Sequence, residues 1–295
     1  MPTWRNPVLN NRNRSRLAGI ALGIVAVAAA GTALLVPVSA QPPGGGKGKI
    51  KAGPPRRKAN GKVDLAGFWA TGGNGFYAAF DLEGRTTVDL ELKNPFGTNI
   101  VDPPDGKIPY TPAAKAKKDD LFKNHLAEDP QPHCYPSGTP RQVYTPFGFQ
   151  LLEANDAIIL SFEAFHAFRI LYFGGKHPDP AITLFQGDSR AHWEGDVLVV
   201  DTKNLSDRTW LDMSGNFMVP SIQVEERFTP VDENTITYAA KLHDPSIYTR
   251  DWTISFPLVR NPDREYETLE YACVEGEQDL QHYTESVGGA KQDKK

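Results

Sequence analysis

The chain has 295 residues, with 32 basic against 36 acidic side chains and two cysteines. The first 62 residues hold eleven of the basic residues and no acid, which leaves 21 basic against 36 acidic from Val63 onward, a net of −15. A body that acidic has no positive field to meet phosphates and excludes nucleic acid as a partner.

Residues 1–40 have the tripartite pattern of a secretory signal peptide: Arg5, Arg12, Arg14 and Arg16, then an uncharged apolar run from Leu17 to Val36, then Val38-Ser39-Ala40. Because the run is long for a signal, an uncleaved anchor is the competing reading, and it would be the only contact with a membrane. Either way the destination is periplasmic or secreted. Residues 41–62, rich in Gly, Pro and Lys, cannot form a core and read as a tether. One domain is expected over 63–287, with a polar tail over 288–295. Cys134 and Cys273 suit an oxidising compartment as one disulfide, two buried thiols being the alternative.

Within the domain, strand-like runs recur at short spacing. They are Leu65–Thr71, Phe76–Asp81, Thr86–Leu92, Val143–Leu152, Ile158–Phe173, Thr183–Trp193, Val197–Thr202, Ile222–Thr229, Thr235–Leu242, Trp252–Val259 and Glu267–Glu275. Almost no helical periodicity intervenes, so an all-β fold is expected, an antiparallel up-and-down barrel with local strand connections. A long Pro-rich insertion, Asn94 to Pro140, carries one short helix over Ala113–Leu126, with Thr111 as cap and Pro112 in the first turn.

Two stretches concentrate chemistry. In Ile158–Phe173, read as one regular strand, period two puts Phe162, His166, Phe168 and Tyr172 on one face and Glu163 and Arg169 on the other. The functional reading is His166 as a general base in an aromatic-lined cavity. The alternative is a Glu163–Arg169 pair with a hydrogen-bonded core histidine. The second stretch, Thr202 to Asp212, crowds Asp207, Arg208 and Trp210 together, either as a ligand rim or as a braced loop anchored by its indole. Tyr248 opens a later strand in a similar style, and His177 falls at a rim after Gly174-Gly175. The spacing of His166, His177, Asp188 and Asp207 matches no established metal pattern, and no nucleotide or haem motif is present, so neither metal nor cofactor is expected.

Three resemblances accompany these readings. Gly67-Phe68-Trp69 resembles the G-x-W opening of lipocalin-like (calycin) barrels, where the Trp closes one end. Gly187-Asp188-Ser189 with Asp279-x-x-His282 resembles the blocks of GDS-type serine hydrolases, although the chain lacks their β-α alternation. A broader set is similar to a large family of secreted bacterial proteins: Cys134-Tyr135-Pro136-Ser137-Gly138-Thr139-Pro140-Arg141, His166-x-x-Arg169, His177-Pro178, Trp193-Glu194-Gly195-Asp196-x-Leu198-Val199-Val200-Asp201-Thr202, Asp207 to Asp212 and Glu270-Tyr271-x-Cys273. That family brings no assigned reaction. The chain departs from its pattern at Asp188 and Pro220, where relatives tend to carry His.

The function these readings favour is binding of a small, mostly apolar or aromatic molecule in the barrel cavity, between the His166 strand and the Trp210 loop. Phe162, Phe168 and Tyr172 would form the apolar wall, His166 and Arg169 the orienting groups, Asp207 and Arg208 the rim, and His177 and Tyr248 the mouth. A cofactor-independent lyase, isomerase or hydrolase would use the same cavity, with His166 moving a proton and Arg169 or Arg208 holding an oxyanion. The third reading is a structural envelope protein with no ligand.

Overall fold

The structure, a computed structural model, describes residues 53–85, 97–263 and 265–273. The leader, most of the tether, the strand expected over Thr86–Leu92, Asp279, His282 and the tail lie outside them. Among the described residues are ten strands: β1 Gly67–Thr71, β2 Ile100–Asp102, β3 Phe149–Glu153, β4 Ala157–Phe162, β5 Phe168–Phe173, β6 Asp188–Glu194, β7 Val197–Lys203, β8 Gln223–Pro230, β9 Thr235–His243 and β10 Trp252–Arg260. Nine of them close into a barrel in the order β1-β3-β4-β5-β6-β7-β8-β9-β10, with β1 returning to β10. The short β2 pairs with the start of β10 and β1 with its end, so together they fill one edge.

The barrel is not purely antiparallel: β5 and β6 run parallel through three residue pairs, Leu171–Ser189 to Phe173–Ala191. Residues 174–187 between them form a crossover that returns along the barrel, as a parallel pair requires. The strand expected from Thr183 therefore begins only at Asp188.

The expected single strand Ile158–Phe173 is two strands joined by a tight turn over residues 163–167. Phe165 and His166 adopt left-handed backbone there (φ 65° and 50°), and the turn resets which face each residue occupies. Phe162 points into the core, whereas Phe168 (64% exposed) and Tyr172 (41% exposed) lie on the outer wall, so the expected aromatic face does not form. Three other expectations shift. Phe76–Asp81 is largely a 3-10 helix (Gly73–Ala79) whose Gly75 packs on Phe256. Val143–Leu152 splits into the short helix α2 (Arg141–Tyr144) and β3. Glu267 to Cys273 is a strap with one isolated bridge, Ala164–Tyr271. The expected helix forms as α1 (Pro112–Asn124), with the Thr111 hydroxyl accepting from Ala114 N–H.

The interior is packed by alternate residues of each strand, among them Leu151, Leu160, Leu198, Phe228, Tyr238 and Trp252, all buried. One polar network sits inside. Arg169 meets both carboxylate oxygens of Glu226 and donates to Ser189 Oγ (2.9 Å) and Thr202 Oγ1 (2.7 Å), while Tyr238 O–H donates to Glu226 (2.8 Å). At one end the strands are joined by short turns at residues 154–156, 195–196 and 231–234. Trp69 is buried toward that end, its indole N–H on the Leu65 carbonyl (2.8 Å) and the Arg260 guanidinium 4.2 Å over its ring. The opposite end receives residues 103–148, 163–167, 204–222 and 244–251, and this loop-rich mouth carries a groove. No helix among the described residues is long and apolar enough to cross a membrane.

Candidate functional site

The mouth holds a groove of about 550 Å³ between the Pro-rich insertion and the Trp210 loop. Two features bring its walls together. The C-x-P-x-G-x-P-R stretch turns sharply at Gly138 (φ +75°), where a Cβ would meet Thr209 at 2.7 Å and the Phe185 carbonyl at 2.8 Å. At its end, buried Arg141 makes a bidentate pair with buried Asp129 (2.7 Å for each arm), and this pins the insertion to α2. The bond between Cys134 and Cys273 then ties the insertion to the strap.

The opposite wall is the loop after β7. Trp210 pairs with Phe217 across a small hairpin, and the Leu211 carbonyl accepts from the Tyr144 hydroxyl at 2.7 Å. Its glycine, Gly215 (φ +82°), lets the hairpin approach α1 so closely that a Cβ would sit 2.9 Å from Phe122 N. Trp210, Phe217 and Met218 are as buried as the core and form the floor. Behind them Phe217 stacks on Tyr110 (5.9 Å) and Tyr110 packs on Tyr248 (5.4 Å).

The polar groups of the groove are unevenly committed. Glu128 is engaged by His125 at 2.7 Å. His133 Nε2 lies 2.7 Å from the Ala127 carbonyl; a carbonyl only accepts, so Nε2 carries the proton and neutral His133 keeps its lone pair on Nδ1. Lys117 Nζ sits 4.1 Å over the Phe217 ring. The side chains of Asp207 and Arg208 are exposed and make no ion pair among the described residues.

Of the residues expected at a site, Asp207, Arg208 and Trp210 meet here. Tyr248 stands behind the floor, buried, and burial raises its phenol well above the usual range. His166 is on the turn outside the groove, its side chain 53% exposed and 2.8 Å from Glu270. Arg169 and Phe162 are inside the barrel, so His166 and Arg169 do not share a cavity. His177 lies on the outer wall with both ring nitrogens engaged, by Asp188 at 2.7 Å and Asp201 at 3.1 Å, and holds the crossover to β6 and β7. His177 and Asp188 thus meet through a hydrogen bond, away from His166 and Asp207. Lys117, His133, Tyr135, Phe217 and Met218 were not anticipated. The signal available for two of them was adjacency to a cysteine, since His133 and Tyr135 flank Cys134.

Beneath the floor lies a buried acid. Asp212 accepts from Leu82 N–H (2.9 Å), Ser214 N–H (2.9 Å) and Oγ–H (3.0 Å), and Asn216 Nδ2 (2.6 Å). Asp81, held by Arg85 (3.1 Å), and buried Lys118 belong to the same cluster. Burial, reinforced by the Asp81 charge, pushes the Asp212 carboxyl from 3.8 up to about 6. The folded state therefore holds this proton more tightly than the unfolded chain. That stabilisation is complete below about pH 4 and is lost as pH rises through 6, a change of order 2–3 kcal/mol. Chemical unfolding of wild type and Asp212→Asn at pH 4 and pH 7 tests this. The wild type is expected to lose stability relative to the variant on going to pH 7, and parallel pH profiles would refute the assignment.

No family model matches the chain, and neither a curated protein nor a solved structure matches it.

Proposed function

We propose that this protein binds a small, mostly apolar or aromatic molecule in the groove at the barrel mouth, outside the cytoplasm. The observation that carries the reading is the floor. Trp210, Phe217 and Met218 are core-like in burial yet line a concavity of drug-like volume with polar groups on its walls. The export-type leader of the sequence and the Cys134–Cys273 bond support an extracytoplasmic location. The similarity to a secreted bacterial family remains part of the proposal and adds no reaction.

Val219 is half-buried in the lining, and Val219→Trp would fill the groove without touching the barrel. Small molecules are extracted from both purified proteins, compared by mass spectrometry and added back in thermal-shift assays. The expected result is a defined aromatic or apolar compound recovered from wild type alone, which raises the Tm of wild type and not of the variant. Identical extracts and identical shifts would sink the reading.

A second reading, an enzyme of the lyase, isomerase or hydrolase type, is favoured by one observation. His133, its tautomer set by the Ala127 carbonyl, supplies a proton acceptor in the groove that also holds Arg208. His133 would take the role first given to His166.

A further inference from the structure

We infer that the ligand of this groove carries one negative charge, as an aromatic or apolar carboxylate or sulfonate, held by Arg208 and Lys117. The inference rests on the binding function proposed above and adds the charge class of the ligand.

Many basic side chains of this acidic body are taken up by acids, among them Arg57 by Asp196, Arg190 by Asp188, Arg227 by Glu194 and Arg250 by Asp102. The two cations of the groove make no ion pair among the described residues; Lys62, Lys107, Lys123 and Lys176 make none either, but Lys117 and Arg208 line the groove. Lys117 has only the face of Phe217, and Arg208 has no ionic partner among the described residues. An anion approaching a surface of net negative charge is repelled, so a site that accepts one needs local positive charge left uncommitted. These two groups supply it.

The local balance sets the number of charges. Lys117 and Arg208 contribute two positive groups and Asp207 and Glu128 two negative ones, Glu128 being hydrogen-bonded to His125. The lining therefore has no surplus positive charge to offset a phosphate dianion or a nucleotide, and Arg208 with Lys117 suits a single anionic group. The planar fork of Arg208 suits the paired oxygens of a carboxylate or sulfonate. Trp210 and Tyr135, the latter stacked on Phe185 at 5.4 Å, border the groove with aromatic surface for an aromatic body.

The test uses two fluorescent probes of similar shape: anilinonaphthalene sulfonate, a monoanion, and phenylnaphthylamine, which is uncharged. Both are titrated into wild type, Arg208→Gln, Lys117→Gln, Val219→Trp and Phe168→Ser, the last removing an exposed aromatic of the outer wall as a control for binding there. Arg208 and Lys117 are exposed, so circular dichroism is expected to show unchanged folds. The expected result is that Arg208→Gln and Lys117→Gln each weaken the sulfonate about tenfold while the neutral probe changes less than about twofold, and that salt weakens the sulfonate alone. Equal losses for both probes, or unchanged sulfonate binding, would overturn the charge assignment. A sulfonate signal removed by Phe168→Ser would also overturn it. If Val219→Trp leaves both probes bound, the groove itself fails as the binding site, a result separable from the charge question.

Discussion

Replacing Arg169 by Met is expected to lower the unfolding free energy by about 3–5 kcal/mol, because it strands a carboxylate in the barrel interior. Arg169 and Glu226 are both buried, and the guanidinium engages both carboxylate oxygens as well as Ser189 and Thr202. Without it Glu226 retains Tyr238 O–H and its bond to Thr202, too little to offset a charge removed from water. For a domain of this size the loss corresponds to a fall in Tm of about 10 °C. Arg169→Met with Glu226→Leu is expected to recover most of it, because the double change removes the desolvated charge as well as its partner. Thermal and urea unfolding of the two variants measure both effects. A single variant that loses less than about 1 kcal/mol would mean that the ion pair contributes little inside the barrel.

Breaking the Cys134–Cys273 bond by Cys273→Ser is expected to be the second large perturbation. The bond spans 139 positions, and in the chain-entropy model a loop of that length contributes up to about 5 kcal/mol. The measured loss is set by what the strap does once released. Residues 265–273 dock on the 163–167 turn through bonds from Tyr266 O–H (2.7 Å) and Leu269 N–H (2.8 Å) to Glu163, and through Phe165 N–H to the Tyr271 carbonyl. Tyr271 also stacks on Phe147 at 4.8 Å. If these contacts outlast the bond, global stability falls by most of the entropic amount. If they are weaker, the strap peels away first and the barrel loses only the docking energy. Hydrogen exchange at Phe165, read beside the global melting curve, separates the two. Unchanged Tm and unchanged exchange would show that the bond does not stabilise the mouth.

Strands β8 to β10 are legible because their buried residues fall at every second position, and β7 from its continuous, β-branched apolar run, with turn residues, Gly195 and Asn234 among them, punctuating them. The helix α1 was legible from Thr111-Pro112 for the same local reason. The turn at 163–167 was not, since Glu163-Ala164-Phe165-His166-Ala167 contains no Gly, Pro or Asn. Its left-handed residues are held by a bond to Tyr271, a contact from far along the chain. That hidden turn carried Phe168 and Tyr172 to the outer wall and separated His166 from Arg169. The parallel alignment of β5 and β6 was equally hidden, because alternation shows which face a residue takes and not which strand lies beside it. Half of the groove could be read, as charge crowded beside Trp210. Its other wall comes from Lys117, His133 and Tyr135, which only the Asp129–Arg141 pair and the disulfide bring into place.

The parallel alignment of β5 with β6 divides the ring into two ribbons. Strands β6 to β10 zip through neighbouring hairpins, as do β3 to β5, so each can gather its own ladder early. Joining them must wait for residues 174–187 to travel back along the wall, and the junction then has three residue pairs where the β6–β7 ladder has seven. Thermal breathing of the ring should begin along such three-pair seams, this one or those of β1 with β3 and β10, and the His177 clasp between Asp188 and Asp201 sits beside the first like a rivet on a thin weld.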